Sequence, residues 1–283
     1  VPEGDTVFLT GRLVDRALSG RTLTATDFRV PSLATVDLTG AEFTGVRTVG
    51  KHLFFRFRGG GDGSPRRGGT GDQDRALSLH SHLRMDGAWR TLRTGDRWGA
   101  PAHQVRVVLT AGDATAVGVR VHDLALLSTS DEHRRVGHLG PDLLDPEWTN
   151  AHAARAAAAL SADPGRELGT ALLDQTALAG VGNLYKVELC FLTGVTPWTP
   201  VSDVDTSSVV DLARRLLRTN AHRWEQSTTG HLGRGRRTWV YERTRLGCFR
   251  CGGPVRVATQ GPGTESRPTW FCPRCQHGPA PER

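Results

Sequence analysis

Apolar and polar positions alternate in short runs over the first half of the chain and recur at helical spacing over much of the second. Leu53-Phe54-Phe55-Arg56-Phe57-Arg58, Ala76-Leu77-Ser78-Leu79-His80 and Val105-Arg106-Val107-Val108-Leu109 are rich in β-formers and separated by Gly, Asp and Pro, the pattern of a sandwich or barrel. Ahead of them Val7, Phe8, Leu9, Leu13 and Val14 form an apolar stripe that predicts a helix from Asp5 through Ala17. The run from Gly59 to Gly71 has no periodicity and almost no apolar content, so it reads as a hairpin tip without chemistry. Near Ser128 the pattern turns helical. Asp145-Pro146-Glu147 reads as an N-cap followed by Pro at the first helical position, opening a helix through the Ala-rich stretch to 160. Further helices are expected over about 166–179, 183–192 and 205–226. The division predicted is a β-sandwich over 1–128, a helical domain over 129–232 and a small module over 233–283, an α+β multidomain chain.

A length of 283 residues, 37% hydrophobic and 23% charged, agrees with two domains plus a small module and excludes collagen-like, disulfide-scaffold and wholly disordered chains. No apolar stretch is long enough for a membrane span. Val1 to Gly20 carries Glu3, Asp5 and Asp15 where a signal peptide needs a basic start and an apolar run, so the expected location is cytoplasmic. The 36 Lys and Arg exceed the 29 Asp and Glu by 7, and the pI is near 9.8. Such charge suits a polyanionic partner or simply a basic, soluble surface. Lysine occurs only at Lys51 and Lys186. Both stand out because Lys, unlike Arg, can lose its proton when buried.

Cys248-Phe-Arg-Cys251 and Cys272-Pro-Arg-Cys275 are two CxxC knuckles separated by residues 252–271, a spacing that fits one tetrahedral thiolate zinc site. Disulfides or a redox pair are the rival readings. Four cysteines leave no open position for substrate, so one zinc ion here would be structural. Cys190 reads as a small buried hydrophobe. Arginines around the knuckles are interleaved with Trp239, Tyr241, Phe249, Trp270 and Phe271; the aromatics are better read as the module's core than as base-stacking platforms. Arg267 differs, because the hairpin between the knuckles would carry it outward. Gly180-Val181-Gly182-Asn183 joins two predicted helices, and the second opens with backbone N–H groups suited to phosphate. Asn183 either adds a donor to that phosphate or caps the helix. At the start stands Val1-Pro2-Glu3-Gly4. With Val1 removed, Pro2 would present a secondary amine able to attack a sugar C1′, and Glu3 is placed for acid–base work; the alternative is an ordinary extended terminus.

Taken together, Pro2-Glu3-Gly4, Gly50-Lys51-His52, Gly180-Val181-Gly182-Asn183 and Cys248/Cys251/Cys272/Cys275 resemble, in order and across essentially the whole chain, the formamidopyrimidine-DNA glycosylase and endonuclease VIII family. The resemblance implies a β-sandwich, a helical domain with a helix-two-turns-helix motif and a zinc-finger β-hairpin, with damaged double-stranded DNA bound between domains by a monomer. It makes the chain a base excision repair enzyme, both DNA glycosylase and AP lyase. Pro2 would be the Schiff-base nucleophile, Glu3 the general acid/base and Lys51 a phosphate contact that assists catalysis. Asn183, with the turn glycines Gly180 and Gly182, and Arg267 would grip phosphates flanking the lesion, and strand cutting would proceed by β,δ-elimination.

Asp5-Thr6 departs from the family's usual Pro-Glu. His80-Ser81-His82-Leu83-Arg84-Met85-Asp86-Gly87-Ala88-Trp89-Arg90 resembles the loop that fills the hole left by a flipped base, with Met85 as wedge and Arg84 beside it, unless Met85 is core filler. Gly4, Trp89-Arg90 and Ser266-Arg267-Pro268 look more like the endonuclease VIII branch, which favours oxidised pyrimidines. The rival activities are an oxidised-purine glycosylase of the same fold and a catalytically silent zinc-containing DNA binder.

Overall fold

The protein is seen in a computed structural model that describes residues 2–59, 76–263 and 266–281. Residues 60–71 of the expected hairpin tip lie outside them. The chain divides into two compact units: Val1–Pro2 with Thr6–His138, and Glu3–Asp5 with Leu139–Arg283.

The first unit is built on two antiparallel sheets. One has the order β1 (Arg21–Thr22), β3 (Glu42–Val49), β4 (His52–Arg58), β5 (Ala76–His82), β9 (Asp123–Ser128); the other runs β2 (Ala25–Phe28), β7 (Val105–Ala111), β8 (Ala114–Val119), β6 (Ala88–Arg93). The expected sandwich follows from alternation. Phe43, Leu53, Phe55 and Phe57 of the first sheet share one core with Phe28, Trp89, Val107 and Leu109 of the second, each such side chain contributing about 1.5–3 kcal/mol on burial. Helix α1 (Gly4–Leu18) supplies Val7, Val14 and Leu18 to that core. A short helix α2 (Glu132–Val136) buries Glu132, whose carboxylate accepts from Arg47, Arg56 and Ser78 and so ties β3, β4 and β5 together.

The second unit holds α3 (Asn150–Leu160), α4 (Leu168–Leu173), α5 (Asn183–Leu192), α6 (Thr206–Asn220) and the hairpin β10 (Arg256–Gln260) with β11 (Arg267–Phe271). Helix α5 has the expected bounds; its neighbours are shorter than their apolar patterns suggest. α3 starts at Asn150, not at Pro146, because Thr149 and His152 form a reciprocal capping box while Asp145 closes a turn onto the Glu147 amide. α4 stops at Leu173, where Asp174 accepts from the Thr176 amide and hydroxyl in a side-chain turn. α6 ends at Asn220, whose amide bonds both ways with Ser227 and turns the chain.

Val187 and Phe191 of α5 form a small core with Val240, Cys248, Val255 and Cys272, flanked by Trp239, Tyr241 and Trp270. Of the aromatics near the knuckles, Trp239, Tyr241 and Trp270 therefore pack on this core, as expected. Two of the arginines stack on these rings: Arg250, exposed, lies 4.4 Å over the Phe191 ring, and Arg243 is buried 5.2 Å from Phe249. Glu188 of α5, fully buried, accepts from the amides of Trp239, Val240 and Tyr241 at 2.7–2.9 Å and from the Thr228 hydroxyl. Burial pushes its carboxyl up, against the pull of those donors.

Candidate active site and metal centre

Glu3 is 2% exposed although it lies at the start of the chain. The first turn of α5 holds it. One carboxylate oxygen accepts from Leu184 N at 2.7 Å; the other accepts from Gly182 N at 2.8 Å and Tyr185 N at 3.4 Å. A helix start offers unpaired N–H groups and a partial positive charge, so the amides that suit an anion here are engaged by a carboxylate of the same chain. Glycine at 182 makes room for this carboxylate, since a Cβ there would sit 2.5 Å from Glu3 Cδ in its present position. Beside it the Gly4 amide donates to Gly180 O at 2.9 Å, and Gly180 has φ +109°, a backbone state that disfavours side chains.

Asp5 completes the clamp. Buried, it accepts from Tyr185 OH at 2.6 Å and from Gln226 Nε2 at 2.8 Å, and burial drives the Tyr185 phenol far above its ordinary range. The departure from the family's Pro-Glu thus has a structural role of its own. The sequence reading missed Tyr185 and Gln226 as partners; no local signal exposed them, because the contacts span about half or more of the chain. Pro2, half-buried, is one peptide bond from the fixed Glu3.

Lys51, Arg84 and Met85 belong to the other unit. Lys51 is half-buried in the turn between β3 and β4, after Gly50 at φ +56°. Next to it His52 pairs with His82 across β4 and β5, and His52 Nδ1 lies 2.8 Å from His80 Nε2. Burial holds all three imidazoles down at about 4. Arg84, in the left-handed region at φ +54°, meets Asp123 at 2.6 Å. Met85 is 63% exposed and is not core filler. Trp89 is core, its Nε1 donating to Ser81 Oγ.

Asn183 is the first residue of α5 and does not cap it; its Nδ2 donates to Pro268 O on β11 at 2.9 Å. Its Oδ1 is buried without a partner, an acceptor position that a bound donor or water would satisfy. Arg267 opens β11, half-buried, with Nη1 donating to Ser266 O. Asn183 is therefore tied to the residue that follows Arg267 on β11.

Sulfurs of Cys248, Cys251, Cys272 and Cys275 lie within 4.8 Å of one another, with Cys248–Cys275 at 3.9 Å and Cys251–Cys272 at 3.6 Å. Tetrahedral thiolates at ~2.3 Å from zinc would stand ~3.8 Å apart, and a disulfide needs about 2.05 Å. The set fits a metal and not the disulfide reading. The Gly253 amide holds the Cys251 thiol down to about 7. Cys190 is fully buried and pushed up to about 12, as an inert thiol should be.

Residues 1–125 match the profile of the formamidopyrimidine-DNA glycosylase N-terminal domain. The chain is 51% identical over 285 aligned positions to a probable endonuclease 8 2 of Streptomyces coelicolor, covering 99% of this chain and 96% of the relative. The chain belongs to the formamidopyrimidine-DNA glycosylase and endonuclease 8 family. It is also 43% identical to a DNA-(apurinic or apyrimidinic site) lyase of Mycolicibacterium smegmatis, over 98% of this chain and 99% of that one. The family fold recurs in the Lactococcus lactis formamidopyrimidine-DNA glycosylase crystallised with DNA containing an N7-benzyl formamidopyrimidine (TM-score 0.75, 21% identity, 98% and 100% covered). Among the described residues no helix is long and apolar enough to cross a membrane.

Proposed function

We propose that the chain is a bifunctional DNA glycosylase and abasic-site lyase of base excision repair, acting on damaged double-stranded DNA with a preference for oxidised pyrimidines. Family membership and the endonuclease 8 relatives support the reaction class. The observation that carries the residue assignment is the clamp on Glu3: a carboxylate held by the amides of Gly182, Leu184 and Tyr185 at the start of α5, one residue after a proline.

In this reading the bond before Pro2 is cut, which frees a secondary amine. The target nucleotide leaves the stack, and the Pro2 nitrogen attacks C1′. The N-glycosidic bond breaks as the base takes a proton, leaving an iminium between Pro2 and the opened sugar. Glu3 serves as acid and base at this centre; its clamp keeps it in reach and lowers the cost of orientation. Loss of a C2′ proton expels the 3′ phosphate, a further elimination expels the 5′ phosphate, and water releases Pro2. Lys51 and Arg267 neutralise phosphates around the lesion and Asn183 donates a hydrogen bond to one, while Gly180 and Gly182 shape the turn that presents Asn183. Met85 fills the vacated stack, with Arg84 beside it.

One structural zinc ion, held by Cys248, Cys251, Cys272 and Cys275, would lock the hairpin that carries Arg267. We retain the three-part division at residues 128 and 232, a monomeric state and a cytoplasmic location as parts of the proposal. Borohydride trapping on a duplex with one abasic site, followed by mass spectrometry, tests the central step. A crosslink at Pro2 is expected; binding without any crosslink, with Pro2 at the terminus, would leave a silent DNA binder. Cleavage of 8-oxoguanine duplexes in preference to thymine glycol duplexes would reverse the substrate assignment.

A further inference from the structure

Lys186 is one of only two lysines in the chain, and its side chain is fully buried. Its Nζ donates to Thr269 Oγ1 at 2.5 Å and to Gln260 Oε1 at 3.4 Å. Both acceptors flank Arg267. Thr269, itself buried, donates its hydroxyl to Arg267 O at 3.1 Å, and Gln260 is the residue that faces Arg267 across the β10–β11 pair. Gln260 is anchored in turn, its Nε2 donating to Glu167 Oε2 and Pro197 O at 2.8 Å. Burying an ammonium is costly, and an apolar chain of the same length would fill this space at no such cost.

We propose that Lys186 is a positioning residue for phosphate recognition: through Thr269 and Gln260 it fixes the backbone from which Arg267 reaches the DNA. The inference rests on the reading of Arg267 as a phosphate contact. The groups facing Lys186 are Glu3 and Glu167, which favour its charge, Arg267, which opposes it, and the neighbouring Cys190 on α5. Burial outweighs the favourable charges and brings Lys186 down to about 8. Proton loss therefore removes its charge, and weakens its grip on Thr269, within a mildly alkaline range.

The test measures binding of the full-length, metal-loaded protein to a duplex bearing a tetrahydrofuran abasic-site analogue, by fluorescence anisotropy across salt and pH. Lys186→Met should weaken binding about tenfold, the effect of losing one charge-assisted contact. It should also reduce the salt slope by about one phosphate contact, and erase the fall in affinity through about pH 8. Arg267→Ala should weaken binding too, and the double variant should be no weaker than Arg267→Ala alone. Losses that add in the double variant, or Lys186→Met binding like wild type, would overturn the proposal while leaving Arg267 in place. An inert Arg267→Ala would overturn the phosphate reading and this proposal with it. Should Lys186→Met lose its metal, Thr269→Val decides: its binding loss must vanish in the Arg267→Ala background, and additivity there overturns the role.

Discussion

Gly182→Ala isolates the clamp on Glu3 without touching a chemical group. At φ −123° and ψ −162° the backbone of residue 182 accepts an L side chain, so the new methyl meets only its surroundings. Its Cβ would lie 2.5 Å from Glu3 Cδ and 2.7 Å from Cγ and Oε1. Carbon atoms in contact need about 3.5 Å, so the carboxylate must retreat by about 1 Å. That retreat breaks or stretches the bonds from Gly182, Leu184 and Tyr185. A misplacement of about 1 Å at a catalytic group costs about 100-fold in rate, and losing the cap on α5 costs about 1–2 kcal/mol of stability. Single-turnover base excision should therefore fall about 100-fold. Trapping at a preformed abasic site, which needs only the Pro2 amine to form the iminium, should fall by less than about tenfold. Metal content should stay at the wild-type value. Excision within about threefold of wild type would show that the clamp does not set the position of the acid–base group.

Glu188→Gln places an amide among four donors, orphaning at least one of the three backbone N–H groups whichever way it sits; a loss of about 2–4 kcal/mol in urea denaturation is expected, and under about 1 kcal/mol would refute that account. His80 is buried neutral, held at about 4 against an unfolded value near 6.5. The unfolded chain thus binds its proton first as pH falls. The stability contribution is fully present above about pH 6.5 and is lost toward pH 4, about 3 kcal/mol for this one group and less than additive with His52 and His82. Denaturation midpoints that do not move between about pH 7 and pH 4.5 would contradict this. Stripping metal with a strong chelator should loosen the β10–β11 hairpin and weaken duplex binding; unchanged affinity with four titratable thiols would separate the knuckles from DNA recognition.

The β-sandwich was legible because β4, β5 and β7 are short runs of β-formers set off by Gly, Asp and Pro, although successive residues in each are buried, and α5 was legible because glycines mark its start. Helix ends were less so. At Thr149, Asp174 and Asn220 the chain is turned by side-chain hydrogen bonds that compete with the helix, and apolar spacing carries no trace of them. The four cysteines were readable as a set because a metal needs fixed spacing. The Glu3 clamp was not, since its parts lie at residues 3 and 182–185 and neither end looks unusual alone. Lys186 was conspicuous only through the near absence of lysine elsewhere.

Every residue of α5 from Tyr185 to Phe191 is buried, polar and apolar alike. On α6, by contrast, buried Val209, Val210, Ala213 and Leu217 alternate with exposed Asp211, Arg215 and Arg218. A saturation-mutagenesis map should therefore show the usual three-to-four-residue rhythm along α6 and none along α5. There, charge-changing and size-changing substitutions should fail at successive positions, for different physical reasons but with the same severity. Such a stretch has almost no neutral neighbours in sequence space. Adaptation of this protein to another lesion is accordingly expected to proceed through its loops and hairpins, with this helix carried along unchanged.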